Sequence, residues 1–233
     1  MILFKDIIPK GLIVSCQLDN KEPFYTPQHC ALFAVAAEKG GAIAVRADGV
    51  LNIQEIRASS KLPIIGCIRE KQLDDQIVST PNVSAIDKLI RSGSNVIAID
   101  ATKRIRPDLS TGSKFFKDIR DLYPKLILLA DISTFEEGVL AAEAGANAIS
   151  TVLFGRTPET IELAHSTQEY FKLINKLSIT VKVPILAEGF IFTIEEAVEA
   201  IKNGAYSCIV GAAITRPRII SQLFSDSISR VIN

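Results

Sequence analysis

The 233-residue chain carries no excess of either charge: 26 Lys and Arg balance 26 Asp and Glu. Without a net charge or a block of like charges, nothing draws it to nucleic acid or to an anionic membrane surface. It has no C-x-x-C pair, and its four cysteines (Cys16, Cys30, Cys67 and Cys208) are widely spaced. Three of them lie in apolar runs, which argues for buried reduced thiols and against a disulfide or metal framework. His29 and His165 are far apart in sequence, so a zinc site, which needs clustered ligands, is not expected. No apolar run is long enough to span a bilayer, and residues 1–6 lack a basic segment leading into a long apolar one. A cytoplasmic protein is the expectation. No low-complexity tract or linker divides the chain, so one domain over residues 1–233 is expected. No G-x-G-x-x-G follows the first apolar run, which counts against a doubly wound dinucleotide fold.

What the chain does have is regularity. Short apolar runs recur at Leu12–Cys16, Ala42–Val45, Ile64–Ile68, Val96–Ile99, Leu126–Ala130, Ala146–Val152, Ile185–Ala187 and Ser207–Val210. Amphipathic segments alternate with them: Gln28–Lys39, Leu51–Ser60, Val83–Arg91, Ser113–Leu122, Phe135–Ala144, Glu159–Leu177, Ile194–Lys202 and Arg216–Val231. Strand and helix in strict alternation means parallel pairing through right-handed crossovers. Eight such units in this length predict a (β/α)8 TIM barrel. The odd runs are introduced by proline (Pro9, Pro63, Pro124, Pro184). The even ones follow a helix-ending glycine (Gly41, Gly93, Gly145, Gly204), which suggests a fourfold internal repeat. The stretch 157–180 is longer than one ordinary helix and predicts an extra turn or a break. Residues 19–26 read as an active-site loop.

In such a barrel the chemistry lies at the C-terminal strand ends, which all face one way. Those ends are Gln17, Arg46, Arg69, Asp100, Asp131, Thr151, Glu188 and Gly211, a set that would converge on a small polar ligand. Glu188 ends a buried run, so it should emerge into a polar pocket. The turns at Gly189 and at Gly211-Ala212, just before a short helix, offer backbone N–H groups for a phosphate. Arg216 could add charge to that phosphate or bind a sugar hydroxyl or carbonyl. In the polar loop Asp100–Asp108, an Asp-Thr-Arg network is expected to hold the loop shape. Lys103 stands beside Arg104 and Arg106 and reads as a rim lysine; its alternative is a Schiff-base aldolase.

With these residues assembled, the chain resembles the N-acetylmannosamine-6-phosphate 2-epimerase family. The resemblance is carried by Leu12–Gln17, Arg46–Val50, Leu62–Gly66, Asp100–Arg104, Ala130–Thr134, Ala187–Gly189 and Gly211–Pro217. It implies a cytoplasmic barrel enzyme of sialic acid catabolism, interconverting N-acetylmannosamine 6-phosphate and N-acetylglucosamine 6-phosphate with no metal or organic cofactor. C2 is inverted by removing a proton and returning one to the opposite face, which needs the open-chain aldehyde beside it. The family does this with a lysine after the third strand and a glutamate after the seventh. The glutamate corresponds to Glu188, while Gln17, Arg46, Asp131 and Arg216 correspond to residues touching the sugar, its N-acetyl group or its phosphate. At the lysine position this chain has Arg69, a cation that holds its proton too tightly for easy transfer, so its expected role is electrostatic. The family's Arg-Ile-His after the glutamate is Phe190-Ile191-Phe192 here, and its Ser-Gly-Tyr-Thr is Phe154-Gly155-Arg156-Thr157. These departures keep two alternatives open: a barrel that binds a sugar phosphate without turnover, and another phosphosugar enzyme of this fold. Barrels of this size often pair, which leaves a homodimer to be tested.

Overall fold

The computed structural model describes residues 3–18, 21–71, 77–106 and 108–232. Its strands are β1 (Leu12–Ser15), β2 (Ala44–Asp48), β3 (Ile64–Cys67), β4 (Arg69–Lys71), β5 (Ile77–Ser79), β6 (Val96–Asp100), β7 (Leu128–Asp131), β8 (Ala148–Ser150), β9 (Ile185–Glu188) and β10 (Ser207–Val210). Eight of them close into a parallel barrel in the order β1-β10-β9-β8-β7-β6-β3-β2, as the alternation predicts. β4 and β5 form a separate antiparallel pair above β3. That pair was not legible as apolar runs, because Arg69–Lys71 are all charged, Glu70 and Lys71 exposed and Arg69 half-buried.

Strands covered on both faces need apolar side chains on both, and this chain supplies them. Ile13, Ala44, Ile65, Ala98, Leu129, Ala148, Leu186 and Ile209, one per strand, fill the barrel interior over Phe4 and Ile8. Their sequence neighbours, such as Val14, Val45, Ile97 and Ile149, face the surrounding helices. Side chains alternate along a strand, so the residue two beyond each interior one also points inward. Those residues are Ser15, Arg46, Cys67, Asp100, Asp131, Ser150, Glu188 and Gly211. The strand period thus stacks one mostly polar layer on one apolar layer.

The helices are α1 (Phe4–Ile7), α2 (Pro27–Lys39), α3 (Val50–Ser59), α4 (Val83–Arg91), α5 (Gly112–Leu122), α6 (Phe135–Glu143), α7 (Thr167–Thr180), α8 (Ile194–Lys202), α9 (Ala212–Thr215) and α10 (Pro217–Ile232). Thr26, Asn82, Thr111, Thr134, Ser166 and Thr193 cap α2 and α4–α8, each accepting a backbone N–H of the first turn. Such caps fix where a helix starts. The expected break in 157–180 is a 3₁₀ turn at Ile161–Leu163 ahead of α7. Gly41, Gly93, Gly145 and Gly204 share φ values of 88–98°, matching turns that lead into alternate barrel strands.

Two of these turns are clamped alike from below. Arg57 of α3 donates to the Gly93 carbonyl (2.9 Å) and to Asn95, whose Oδ1 also accepts the Ile64 N–H. Arg120 of α5 donates to the Gly145 carbonyl (3.0 Å) and to Asn147 Oδ1 (2.6 Å), which accepts the Leu128 N–H. At the other extreme, α10 buries no residue; Leu223, Phe224, Ile228 and Val231 are all exposed. No helix is long and apolar enough to cross a membrane among the described residues.

Candidate active site

A cavity of about 600 Å³ opens at the C-terminal ends of the barrel strands. Of the residues expected there, Gln17, Arg46, Arg69, Glu188, Gly189, Gly211, Ala212 and Arg216 line it. Asp100, Asp131 and Thr151 do not reach its wall; they are buried behind it. A larger cavity of about 840 Å³ lies at the opposite end, against Phe4, Pro184 and Tyr206. It is lined by no carboxylate and lies far from the strand ends where the polar layer converges, so the smaller cavity is the candidate site.

Its centre is a buried three-residue charge network. Arg46 of β2 grips Asp131 of β7 with both ends of its guanidinium, Nη1 to Oδ1 at 3.0 Å and Nη2 to Oδ2 at 2.6 Å. The same Nη1 donates to Glu188 Oε2 of β9 at 2.5 Å, and Ser150 Oγ donates to that oxygen at 2.8 Å. Among the described residues Glu188 Oε1 accepts no hydrogen bond. One carboxylate oxygen is thus anchored, and the other is left for a ligand. Burial would strip Arg46 of its proton, but Asp131 and Glu188 outweigh it and hold the pKa above the ordinary arginine range. Asp131 is pushed up to about 6, mainly by complete burial, with Arg46 pulling the other way. Desolvating charges is costly unless each is paired, and this bridge satisfies that condition.

Neighbouring strands fix the rest. The Glu188 backbone N–H donates to Thr151 Oγ1 (3.1 Å), which stands 3.0 Å from the Tyr170 hydroxyl. Arg69, the first residue of β4, points its backbone N–H and its Nε at the two oxygens of Asp48, at 2.9 and 2.6 Å. Burial opposes the Arg69 charge, yet Asp48 carries its pKa above the usual value. It is a fixed cation. Ser15 Oγ donates to Gln17 Oε1 (3.1 Å), and Gln17 Nε2 donates to Cys67 Sγ (3.0 Å). Burial pushes the Cys67 thiol up to about 12, so it is a neutral acceptor rather than a nucleophile. Arg216 Nη2 donates to the Gln17 carbonyl at 2.8 Å.

The Asp-Thr-Arg network is present: Asp100 Oδ1 accepts from Thr102 N and Oγ1 (3.0 and 2.7 Å), and Arg104 pairs with the other oxygen. Lys103 is not part of the cavity wall; its N–H donates to Glu137 (2.8 Å). Asp19 and Asn20 of the first loop, and Pro107 of the fourth, lie outside the described residues. Sequence reading missed the contributions of Asp48, Ser15 and Ser150. Counting by twos from the apolar interior layer finds both serines. Asp48 was visible only as a carboxylate two residues beyond Arg46. All four cysteines are buried and unpaired. Among the described residues no three His, Cys, Asp or Glu side chains are grouped to hold a metal.

Comparison with known proteins supplies the family. Residues 30–230 match the sequence profile described as "Putative N-acetylmannosamine-6-phosphate epimerase". A relative of that description, a 2-epimerase from Caldanaerobacter subterraneus subsp. tengcongensis, is 45% identical over 222 residues, covering 94% of this chain and 92% of its own. Another, from Borreliella burgdorferi, is 38% identical over 224 residues, covering 96% and 97%. The solved structure of the N-acetylmannosamine-6-phosphate 2-epimerase from Clostridium perfringens superposes with a TM-score of 0.87 at 42% identity, over 95% of this chain and 94% of that one. A thiamine phosphate pyrophosphorylase from Pyrococcus furiosus, at 16% identity and a TM-score of 0.58, shares the fold alone. By sequence over nearly its whole length and by architecture, this chain belongs to the N-acetylmannosamine-6-phosphate epimerase family.

Proposed function

We propose that this protein inverts C2 of a hexosamine 6-phosphate, interconverting N-acetylmannosamine 6-phosphate and N-acetylglucosamine 6-phosphate, as a cytoplasmic enzyme of amino-sugar catabolism. The observation that carries the reading is Glu188: the cavity's one lining carboxylate among the described residues, with Oε2 anchored and Oε1 unengaged. A base needs such a free lone pair within reach of the proton it takes.

In this reading the open-chain aldehyde makes the C2 proton acidic, and Glu188 removes it. Arg46 and Ser150 hold the carboxylate in one orientation. Arg69, kept cationic by Asp48, stabilises the enolate oxygen that forms. Water returns a proton to the opposite face of C2, and the Glu188 proton leaves to solvent. Family membership favours turnover over a barrel that only binds, and the position of Lys103 away from the cavity wall gives no support to a Schiff-base aldolase. We also read the exposed apolar stripe of α10 as support for a homodimer in which a second copy covers it.

Proton NMR in deuterated water with both sugar phosphates tests the reaction directly. The wild type incorporates deuterium at C2 as it epimerises, and Glu188→Gln slows that exchange by about 10²–10⁴-fold. A wild type that neither epimerises nor exchanges, while Arg69→Lys does both, overturns the reading.

A further inference from the structure

We propose that Arg156 is the residue that grips the substrate's phosphate, a role that rests on the hexosamine 6-phosphate reading above. Five arginines line the cavity against one carboxylate, Glu188. Arg46, Arg69 and Arg104 each hold a carboxylate, and Arg216 donates to the Gln17 carbonyl. Arg156 differs: its side chain is exposed, and among the described residues no carboxylate lies within ion-pair distance of it. The charges that act on it are Glu188, which attracts, and Arg69 and Arg46, which repel.

The loop that carries Arg156 is rigid. Gly155 N–H donates to Thr160 Oγ1 at 2.9 Å, and Arg156 N–H donates to the Leu153 carbonyl at 3.0 Å. Beneath them the buried hydroxyls of Thr157 and Thr160 stand 2.8 and 2.6 Å from Ser133 Oγ. Gly155 has φ +71°, and a Cβ there would come within 2.9 Å of both Ala164 Cα and Phe190 Cζ. The loop is therefore seated directly against the turn after β9, whose residues Gly189–Phe192 carry no basic side chain.

A cation fixed near other cations raises the energy of the empty site, and an anion bound among them lowers it. A phosphate dianion suits that position: it accepts from a guanidinium fork on one side and from backbone N–H groups of the glycine turns on the other. A neutral sugar hydroxyl would not need the charge.

Calorimetric binding tests this without turnover, so a failure of epimerisation and a failure of this proposal give different results. Arg156→Gln changes an exposed side chain and should fold normally. We expect it to bind N-acetylmannosamine 6-phosphate and inorganic phosphate about 10- to 100-fold more weakly than wild type, as loss of a hydrogen-bonded charge predicts. Binding of unphosphorylated N-acetylmannosamine should be unchanged, and Arg156→Lys should restore part of the loss. Equal weakening for the unphosphorylated sugar, or unaltered phosphate binding, overturns the assignment.

Discussion

Replacing Arg46 by methionine keeps an unbranched stem at that position and removes the guanidinium with its charge. In the wild type that guanidinium lies between Asp131, fully buried, and Glu188, 6% exposed. Without it, two buried carboxylates face each other with no cation. Breaking a buried pair by removing one partner costs about 3–5 kcal/mol. For a protein of this size that lowers Tm by roughly 6–20 °C. The pH dependence is the sharper test. In the folded wild type Asp131 titrates at about 6, against an ordinary value of 3.8. A carboxyl raised in the folded state contributes stability below its unfolded value and loses it as pH rises through the folded one. The variant also loses the downward pull of Arg46, so its Asp131 rises further. Its deficit against wild type should therefore be largest above pH 7 and shrink as pH falls towards 5, where Asp131 takes up a proton. Urea unfolding followed by circular dichroism at pH 8, 6.5 and 5 measures this. A loss under about 1 kcal/mol at pH 8, or a deficit constant across the range, would refute the charge network as described.

Two further predictions concern packing. Gly112→Ala would place a Cβ 2.6 Å from the Thr102 carbonyl and 2.7 Å from the Asp100 carbonyl, backbone that cannot swing aside; a loss of about 1–3 kcal/mol is expected, and an unchanged melting temperature would count against that close approach. Phe224→Asp puts a charge in the apolar stripe of α10, where Phe224 is 67% exposed; sedimentation velocity should show a wild-type dimer becoming monomeric, and a wild type already monomeric at micromolar concentration removes the homodimer.

The barrel was legible because each strand is a run of Ile, Leu, Val and Ala punctuated by glycine or proline, and because α8 reads from Ile194 to Lys202 in both sequence and structure. The site was legible in part. Residues at strand ends could be found by position, but not which of them touch. Arg46 lies in the middle of β2 rather than past its end, and only the strand period shows that it shares an inward layer with Asp131 and Glu188. Thr151, one residue out of that phase, points away from the layer to Tyr170. The Asp48–Arg69 pair joins two segments 21 residues apart through β4, a strand with no apolar signature. α10 matched the helical period, yet its burial depends on what packs against it, which no local pattern encodes.

The paired clamps of Arg57 and Arg120 beneath the barrel bear on how this protein could change over time. Each ties a helix, a glycine turn and the start of a strand together with neutral acceptors, at the end of the molecule away from the cavity. Two of the barrel's turns are thereby held at the end opposite the candidate site. The loops that bear Arg69 and Arg156 take no part in either clamp, so an exchange of one cation for another there leaves both clamps in place. Such a division lets the rim of the candidate site vary without loosening the opposite end of the barrel.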